Sequence, residues 1–292
     1  MPSTRDIRRR IKSVKNTAQI TKAMQMVAAS KMRRAQQSAL ASRPYATLLD
    51  EILAPLASAA GDISHPLMEK REVKKRLIIL VSSDKGLCGA LNSNVMREVA
   101  KIDRENTVFI TAGRKASQFI ARTKRELAAE FTYRDTPLFS EARAIAKFAV
   151  NMFMEGKVDR VDVLYTRFIS TLNQRPEVQE LLPMGEINVH STGTSAAAES
   201  TTANTANLEF IYEPNEPTVL SALLPHSLNF QIFQILLEAK ASEQSARMVA
   251  MKNATDNAKQ LIKDLTLEYN KLRQANITRE LLEITSAAMA MG

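Results

Sequence analysis

Apolar and small residues recur every three or four positions at both ends of the chain, and this spacing predicts two long helices. The stretches Ser3 to Arg43 and His226 to Met291 contain no proline and no glycine, the residues that most often end a helix. The N-terminal stripe comprises Ile7, Ile11, Val14, Ala18, Thr21, Ala28, Met32, Ala35 and Ala39, with Gln25 as a polar interruption. The C-terminal stripe comprises Leu228, Ile232, Ile235, Ala239, Ser242, Ala246, Val249, Ala254, Ala258, Leu261, Leu265 and Leu272.

A repeat near 3.5 residues is typical of helices that wind around each other in a left-handed coiled coil. A C-terminal helix of 66 residues would extend for roughly 100 Å, which exceeds the width of a compact domain of this size. We therefore predict that the two terminal helices pair antiparallel. The alternative is two ordinary amphipathic helices on a globular core. The C-terminal helix is longer than its partner, so its C-terminal end should project as a single helix.

The middle of the chain alternates between short apolar runs and amphipathic stretches. Strands are predicted at 77–81, 107–111, 161–169, 181–189 and 208–212. Helices should follow the loop SSDKGLCGALNSNV, begin at Gly113, and cover 140–153 with Ser140 as the N-cap. This alternation predicts a Rossmann-like, mostly parallel α/β sheet domain between the two coiled-coil helices.

Breakers and low-complexity segments set the predicted domain boundaries. Pro44 and Pro55 should interrupt the N-terminal helix, GDISHP (61–66) should form a turn, and EPNEP (213–217) should lead into the C-terminal helix. Residues 190–207, rich in Ser, Thr, Ala and Asn, predict a loop. The predicted domains are 1–57 (coiled-coil helix), 58–73 (linker), 74–212 (α/β domain) and 213–292 (coiled-coil helix).

The net charge of +9 comes from the N-terminal helix alone. Residues 1–43 contain eleven Lys and Arg and one acid, Asp6, whereas the remaining residues contain 29 basic and 30 acidic side chains. A basic helix of this kind can bind nucleic acid, an anionic membrane or an acidic protein partner, or can simply be solvated. No aromatic residue lies between its basic positions, which argues against binding by base stacking.

The sequence contains only weak signals for catalytic or ligand-binding residues. The loop SDKGLCG (83–89) follows a strand and precedes a helix, where nucleotide-binding folds place phosphate, but it matches neither common phosphate-loop pattern. Cys88 could be a nucleophile at a helix N-terminus, or simply a core thiol, and Asp84 could be a cap. No metal-ligand spacing, secretory signal or apolar run near 18 residues is present, so no metal, cofactor, catalytic residue or transmembrane helix is expected.

Four segments together resemble the gamma subunit of the F-type, proton-translocating ATP synthase. They are ITKAMQMVAASKMRRAQ (20–36), SDKGLCG (83–89), FIYEPN (210–215), and ASEQSARMVAMKNATDNA with the following YNKLRQANITRELLEI. The family pattern ITxExxE is present at Ile277, Thr278, Glu280 and Glu283, but Ala287 stands where the family has Gly. The paired cysteines of the redox-regulated chloroplast form are absent, so thiol control is not expected.

The resemblance implies a rotor. The coiled coil would be a central shaft inside a ring of three alpha and three beta subunits, and the α/β domain would rest with the epsilon subunit on the membrane c-ring. Proton flow would turn the shaft and drive ATP synthesis, with no catalytic residue in this chain. The protein would be peripheral at the cytoplasmic face of the bacterial inner membrane. The competing predictions are a basic coiled-coil nucleic-acid-binding protein and a nucleotide-dependent enzyme in the middle domain.

The resemblance also implies contact residues. The predicted contacts with a beta subunit are Lys22, Met24, Met26, Lys31, Arg33, Glu243, Arg247, Arg273, Gln274, Thr278 and Glu280. The predicted contacts with the c-ring and epsilon subunit are Tyr212 and Glu213. Each could instead be an ordinary solvent-exposed position on a coiled coil, where single charge pairs contribute little.

Overall fold

The computed structural model describes residues 3–59, 65–184, 212–213 and 215–291. The elements within these ranges, in chain order, are α1 (Thr4–Ala59), β1 (Arg76–Val81), α2 (Leu91–Lys101), β2 (Thr107–Ala112), α3 (Arg114–Arg122), β3 (Glu126–Phe131), α4 (Phe139–Met154), β4 (Arg160–Phe168), β5 (Gln174–Leu182) and α5 (Glu216–Met291). Contacts divide the chain into a helical unit, residues 1–28 with 247–292, and an α/β unit, residues 29–246. The domain boundaries drawn from the sequence follow whole helices instead, and they stay a prediction.

The helical unit is an antiparallel coiled coil of the first part of α1 and the last part of α5. The buried residues lie three, four, seven or fourteen positions apart, as expected for a single seam with a heptad repeat. In this unit the buried positions are Ile7, Thr21 and Ala28 on α1, and Met251, Thr255, Ala258 and Leu265 on α5. The predicted pairing of the two chain ends is confirmed.

The two threonines fix which residues face each other. The hydroxyl oxygens of Thr21 and Thr255 lie 2.8 Å apart in the seam. Because the helices are antiparallel, a step of seven residues in opposite directions brings Val14 level with Ile262. One predicted seam residue is wrong: Leu261 is 45% exposed, because the α5 stripe runs through its neighbour Ile262.

The described part of the α/β unit forms a five-stranded sheet with strand order β3-β2-β1-β4-β5. Strand β1 pairs parallel with β2 and β4, and β2 pairs parallel with β3. Among the described strands, only β5 runs antiparallel, joined to β4. This arrangement confirms the predicted mostly parallel, Rossmann-like domain.

Both faces of the sheet are covered, which explains why its central strands are apolar at successive positions. On one face Ile78, Leu80, Phe109 and Leu164 pack with α2 and α3. On the other face Leu77, Ile79, Ile110 and Val163 pack with α4 and with the parts of α1 and α5 that belong to this unit. Segments of both long helices are therefore part of the core of the α/β unit.

The predicted interruption of α1 by prolines is wrong, because the helix continues through Pro44 and Pro55 to Ala59. A proline removes one helical hydrogen bond, but contacts on both sides of Pro44 hold the helix. The Gln234 amide donates to the Ser42 hydroxyl at 2.6 Å, and Tyr45 and His226 are hydrogen-bonded at 2.6 Å.

Helix α5 likewise begins earlier than its first predicted residue, His226. Asn215 caps it, since the Asn215 side-chain oxygen accepts the Thr218 N–H at 3.0 Å. Pro217 then lies in the first turn, where a missing N–H costs nothing, and Pro225 lies inside the helix.

Several predicted strands and one cap need correction. Strand β3 was not predicted, so the strand expected at 161–169 is the fourth. Strand β5 precedes the predicted 181–189 and overlaps it only at Leu181 and Leu182; most of that stretch and of 208–212, with residues 60–64 and 190–207, lie outside the described residues. Leu138, not Ser140, is the N-cap of α4, and the Glu141 carboxylate accepts its N–H at 2.9 Å.

Helix α5 also contains a stretch that is long and apolar enough to cross a membrane by length and composition alone. No such stretch is predicted from the sequence, so this prediction is corrected here. In this structure 44% of the stretch is buried inside the protein, as is usual for a helix that forms part of a core. We therefore regard this resemblance to a membrane span as weak.

Candidate functional site

The C-terminal part of α5 is exposed along its whole circumference. Every residue from Arg273 to Ala290 is exposed, including the apolar side chains Ile277, Leu281, Leu282, Ile284 and Met289. A helix with no covered side and several exposed apolar residues is typical of a segment that binds a partner. The predicted contact residues Arg273, Gln274, Thr278 and Glu280 all lie on this segment.

The predicted contact residues of α1 differ in how accessible they are. Lys22 and Met26 are exposed in the helical unit, where Met24 is partly buried. Two further apolar side chains, Ile20 and Val27, are more than half exposed and lie outside the seam. Sequence reasoning missed these two residues, although their position out of phase with the heptad stripe was a usable signal.

In the α/β unit, Arg33 is exposed, whereas Lys31 is already engaged. The Lys31 ammonium lies 2.5 Å from a carboxylate oxygen of Asp135. The hydrogen bond from Lys31 is the main reason that the pKa of Asp135 is lowered from its ordinary value. A partner that binds Lys31 would therefore compete with Asp135.

Glu243 does not lie on a surface. It is 4% exposed, and its carboxylate lies 3.0 Å from the buried ammonium of Lys240. The predicted contact between Glu243 and another subunit stays a prediction, and the Glu243 side chain is buried in this structure. Arg247, one turn further along α5, is partly exposed.

The two residues predicted to contact the c-ring and epsilon subunit, Tyr212 and Glu213, lie just before α5. Tyr212 is partly buried and packs against the main core of the α/β unit, and Glu213 is exposed. Burial, with a smaller effect from the Glu216 carboxylate, raises the pKa of the Tyr212 phenol. Of the two residues, Glu213 is the more available to a partner.

Polar side chains of the loop SDKGLCG make hydrogen bonds that stabilise the fold. The Asp84 carboxylate accepts the Arg114 N–H at 3.0 Å. It therefore provides an acceptor for a backbone N–H in the first turn of α3, which has no partner within the helix. Cys88 is 1% exposed, and Asn92 donates to its sulfur at 3.2 Å and to the Ser83 hydroxyl at 2.8 Å. These contacts favour the structural interpretation of the loop over a phosphate cradle or a thiol nucleophile.

The combination of an antiparallel coiled coil and a Rossmann-like sheet defines a class of protein, the central-stalk subunits of rotary ATP synthases. A solved chain from the central stalk and c-ring of the Tetrahymena thermophila mitochondrial ATP synthase superimposes with a TM-score of 0.60 at 27% identity, covering 80% of this chain and 99% of that one. A chain of the Euglena gracilis mitochondrial enzyme shares the fold, with a TM-score of 0.68 at 20% identity over 99% of this chain and 94% of that one.

The sequence comparisons identify the family. Residues 3–291 match the family described as ATP synthase. The ATP synthase gamma chain of Opitutus terrae is 49% identical over 99% of this chain and 99% of its own length. The chain belongs to the ATP synthase gamma chain family. This assignment does not support the nucleic-acid-binding alternative.

Proposed function

We propose that this chain is the central-stalk rotor subunit of an F-type ATP synthase. It would couple proton flow through the membrane c-ring to ATP synthesis or hydrolysis on a ring of alpha and beta subunits. The observation that carries this proposal is the exposed C-terminal part of α5, from Arg273 to Ala290, at the end of the coiled coil of the helical unit. The family assignment supports it.

The partners of the chain would be three alpha and three beta subunits, the epsilon subunit and the c-ring. We propose that beta subunits contact the exposed α1 and α5 surfaces at Lys22, Met24, Met26, Lys31, Arg33, Arg247, Arg273, Gln274, Thr278 and Glu280. Tyr212 and Glu213 would contact the epsilon subunit and c-ring. Glu243 is left out because its side chain is buried beside Lys240.

In this proposal the chain contributes no catalytic group of its own. Cys88 and Asp84, the residues in the loop most suited to chemistry, support this interpretation because they are engaged in the packing and capping of α2 and α3. The protein would be peripheral at the cytoplasmic face of a bacterial inner membrane, held there through the c-ring. The bacterial origin of its 49% identical relative supports that location.

The test is co-purification followed by a functional assay. The tagged full-length chain should purify with alpha and beta subunits at one copy per three of each. Membrane vesicles that lack the endogenous subunit should regain ATP-driven proton pumping when the chain is supplied. Purification without alpha and beta subunits, or no recovery of pumping by an assembled complex, would contradict the proposal.

A further inference from the structure

Two turns of α5 in the α/β unit are covered on every side. All seven residues from Ala239 to Ser245 are buried, and they include Lys240 at 2% exposure and Glu243 at 4%. A surface helix normally keeps one face in water, so seven consecutive buried residues mean that other elements surround this segment. Buried polar and charged groups are tolerated only when they are paired.

The first side is covered by the β4–β5 hairpin, through directional hydrogen bonds. The Ser242 hydroxyl donates to the Thr166 carbonyl at 2.9 Å, and the Ser245 hydroxyl donates to the Thr171 carbonyl at 2.9 Å. One turn earlier, the Glu238 carboxylate accepts the Phe168 N–H at 3.0 Å. Spacings of four and three residues place these three α5 side chains on one face of the helix.

The second side is covered by the segment that follows β3. The Lys240 ammonium lies 3.5 Å from Asp135 and 3.0 Å from Glu243, and 5.0 Å from the centre of the Tyr133 ring. Tyr133 in turn donates to the Ser82 carbonyl at 3.1 Å, immediately after β1. Burial is the main cause of the raised pKa of the Tyr133 phenol, which keeps the hydroxyl a donor.

The third side is covered by α1. The contact between Ser42 and Gln234 sets the facing positions in this unit, and a step of seven residues in opposite directions brings Ala35 level with Ala241. Both alanines are buried. Asp135 also bonds Lys31 of α1, so one carboxylate joins α1, α5 and the segment after β3. We call Lys31, Tyr133, Asp135, Thr166 and Thr171, with the α5 segment they surround, the α5 collar.

We infer that the α5 collar is the joint through which torque passes between the sheet and the two long helices, with Lys240 as its central positioning residue. This inference rests on the proposed rotor function. Apolar packing is non-directional and allows a helix to turn about its own axis, whereas hydrogen bonds and ion pairs weaken steeply when their geometry changes. A buried ion pair commonly adds little stability compared with apolar residues of the same size, so its effect here is on orientation.

The experiment separates a positioning role from a structural one by removing the collar contacts without leaving a buried charge. The double variant K240M/E243Q replaces Lys240 and Glu243 by uncharged side chains of similar size in the full chain, assembled with its partner subunits in membrane vesicles. K147M, at an exposed position of α4, is the matched control. ATP hydrolysis, ATP-driven proton pumping and the torsional stiffness of the rotor in single molecules are measured on each complex.

We expect K240M/E243Q to assemble and hydrolyse ATP like K147M, but to pump severalfold fewer protons per ATP and to show a lower torsional stiffness. S242A/S245A, which removes the hairpin hydrogen bonds, should change the same two quantities in the same direction, and it tests the inference if the first variant does not assemble. Wild-type pumping per ATP and stiffness in assembled collar variants would overturn the inference. A wild-type complex that does not pump would instead overturn the proposed function.

Discussion

Thr21 and Thr255 share one hydrogen bond across the buried seam of the coiled coil, with their hydroxyl oxygens 2.8 Å apart. Each hydroxyl also lies in bonding distance of a carbonyl in its own helix, Ala18 for Thr21 at 3.1 Å and Met251 for Thr255 at 2.8 Å. Two hydroxyl protons cannot serve three contacts at once. The bond across the seam therefore forms only when one threonine gives up the carbonyl of its own helix.

Replacing either threonine by valine should cost little stability, because the remaining hydroxyl still bonds its own helix. We expect T21V and T255V each to change the free energy of unfolding by less than about 1 kcal/mol. The double variant T21V/T255V should loosen the register, since a buried polar layer in a seam selects one alignment of the helices. Denaturant unfolding of the full chain measures the first effect.

Disulfide formation measures the register. The A18C/A258C pair reports the native alignment, and A18C/L265C reports a shift of one heptad. The shifted disulfide should form only when both threonines are replaced. A T21V/T255V chain that forms only the native disulfide would contradict this role for the threonine pair.

Gly113 should tolerate no side chain. Its φ is +111°, and a Cβ atom there would lie 2.2 Å from the Ser82 carbonyl oxygen. We expect G113A to lower the free energy of unfolding by at least about 2 kcal/mol, because the backbone of two adjacent strand ends must move. The control G86A places its methyl group where no atom lies within 4 Å, and its effect should stay within about 0.5 kcal/mol. Similar effects for both variants would refute the steric explanation.

The stabilising effect of Asp135 should disappear in acid. Its pKa is lowered in the folded state, chiefly by the Lys31 hydrogen bond, so the carboxylate stabilises the fold above its unfolded pKa and this effect is lost as pH falls through the folded pKa. D135N should therefore be less stable than the wild type at neutral pH, by at most about 1 kcal/mol because the pair is partly solvated. Below the folded pKa the two should be equally stable.

Salt provides the control for this prediction. Asp159 also has a lowered pKa, but mainly because it accepts the backbone N–H groups of Lys75 and Lys74. The difference between D135N and the wild type should shrink at high ionic strength more than the difference for D159N. Unfolding measured across pH at two salt concentrations tests both points, and a D135N effect independent of pH would disprove the assignment.

Deleting the last dozen residues should weaken turnover without abolishing it. These residues belong to the exposed part of α5, and the chain has other exposed surfaces on α1 that can contact partners. The free energy of unfolding of the chain should be unchanged, because no side chain between 281 and 290 is buried. ATP hydrolysis and proton pumping by the assembled complex are the measurements, and complete loss of both would contradict the prediction.

Reversing the charge of Arg33 and Arg34 should impair coupling more than assembly. Both side chains are exposed on α1 in the α/β unit, so R33E/R34E should leave the fold intact while changing the field that a partner meets. R143E, at an exposed position of α4, is the control. Equal ATP-driven proton pumping by the R33E/R34E and wild-type complexes would refute this prediction.

The parts of the fold that could be predicted from the sequence are those with strong local periodicity. The heptad stripes predicted the helix pair, and the buried strands β1, β2 and β4 are apolar runs with little ambiguity. Strand β3 (ELAAEF) was missed because it is an edge strand with mostly exposed side chains, and β5 because its residues Gln174–Glu180 are largely polar. Helix continuity through Pro44 depends on tertiary contacts of Ser42 and Tyr45, which no local pattern reveals.

The candidate site was predictable to a similar extent. The projecting C-terminal helix followed from the difference in helix length, a property of the sequence alone. The burial of Glu243 could not be predicted, because its partner Lys240 is in turn placed by Asp135, more than a hundred residues away. Charged residues on a helix are usually solvated, so the bare sequence favoured an exposed Glu243.

The small side chains in the seam of the helical unit have a consequence for clearance. Small side chains such as Ala18, Thr21, Thr255 and Ala258 favour a close approach of two helix axes, which are usually about 8–10 Å apart. A thinner coiled coil can rotate within a narrower channel. The diameter of the coiled coil is set here by a few small side chains in its seam. Replacing Ala28, which is 1% exposed, by a larger residue would widen the coiled coil locally and leave less clearance for its rotation.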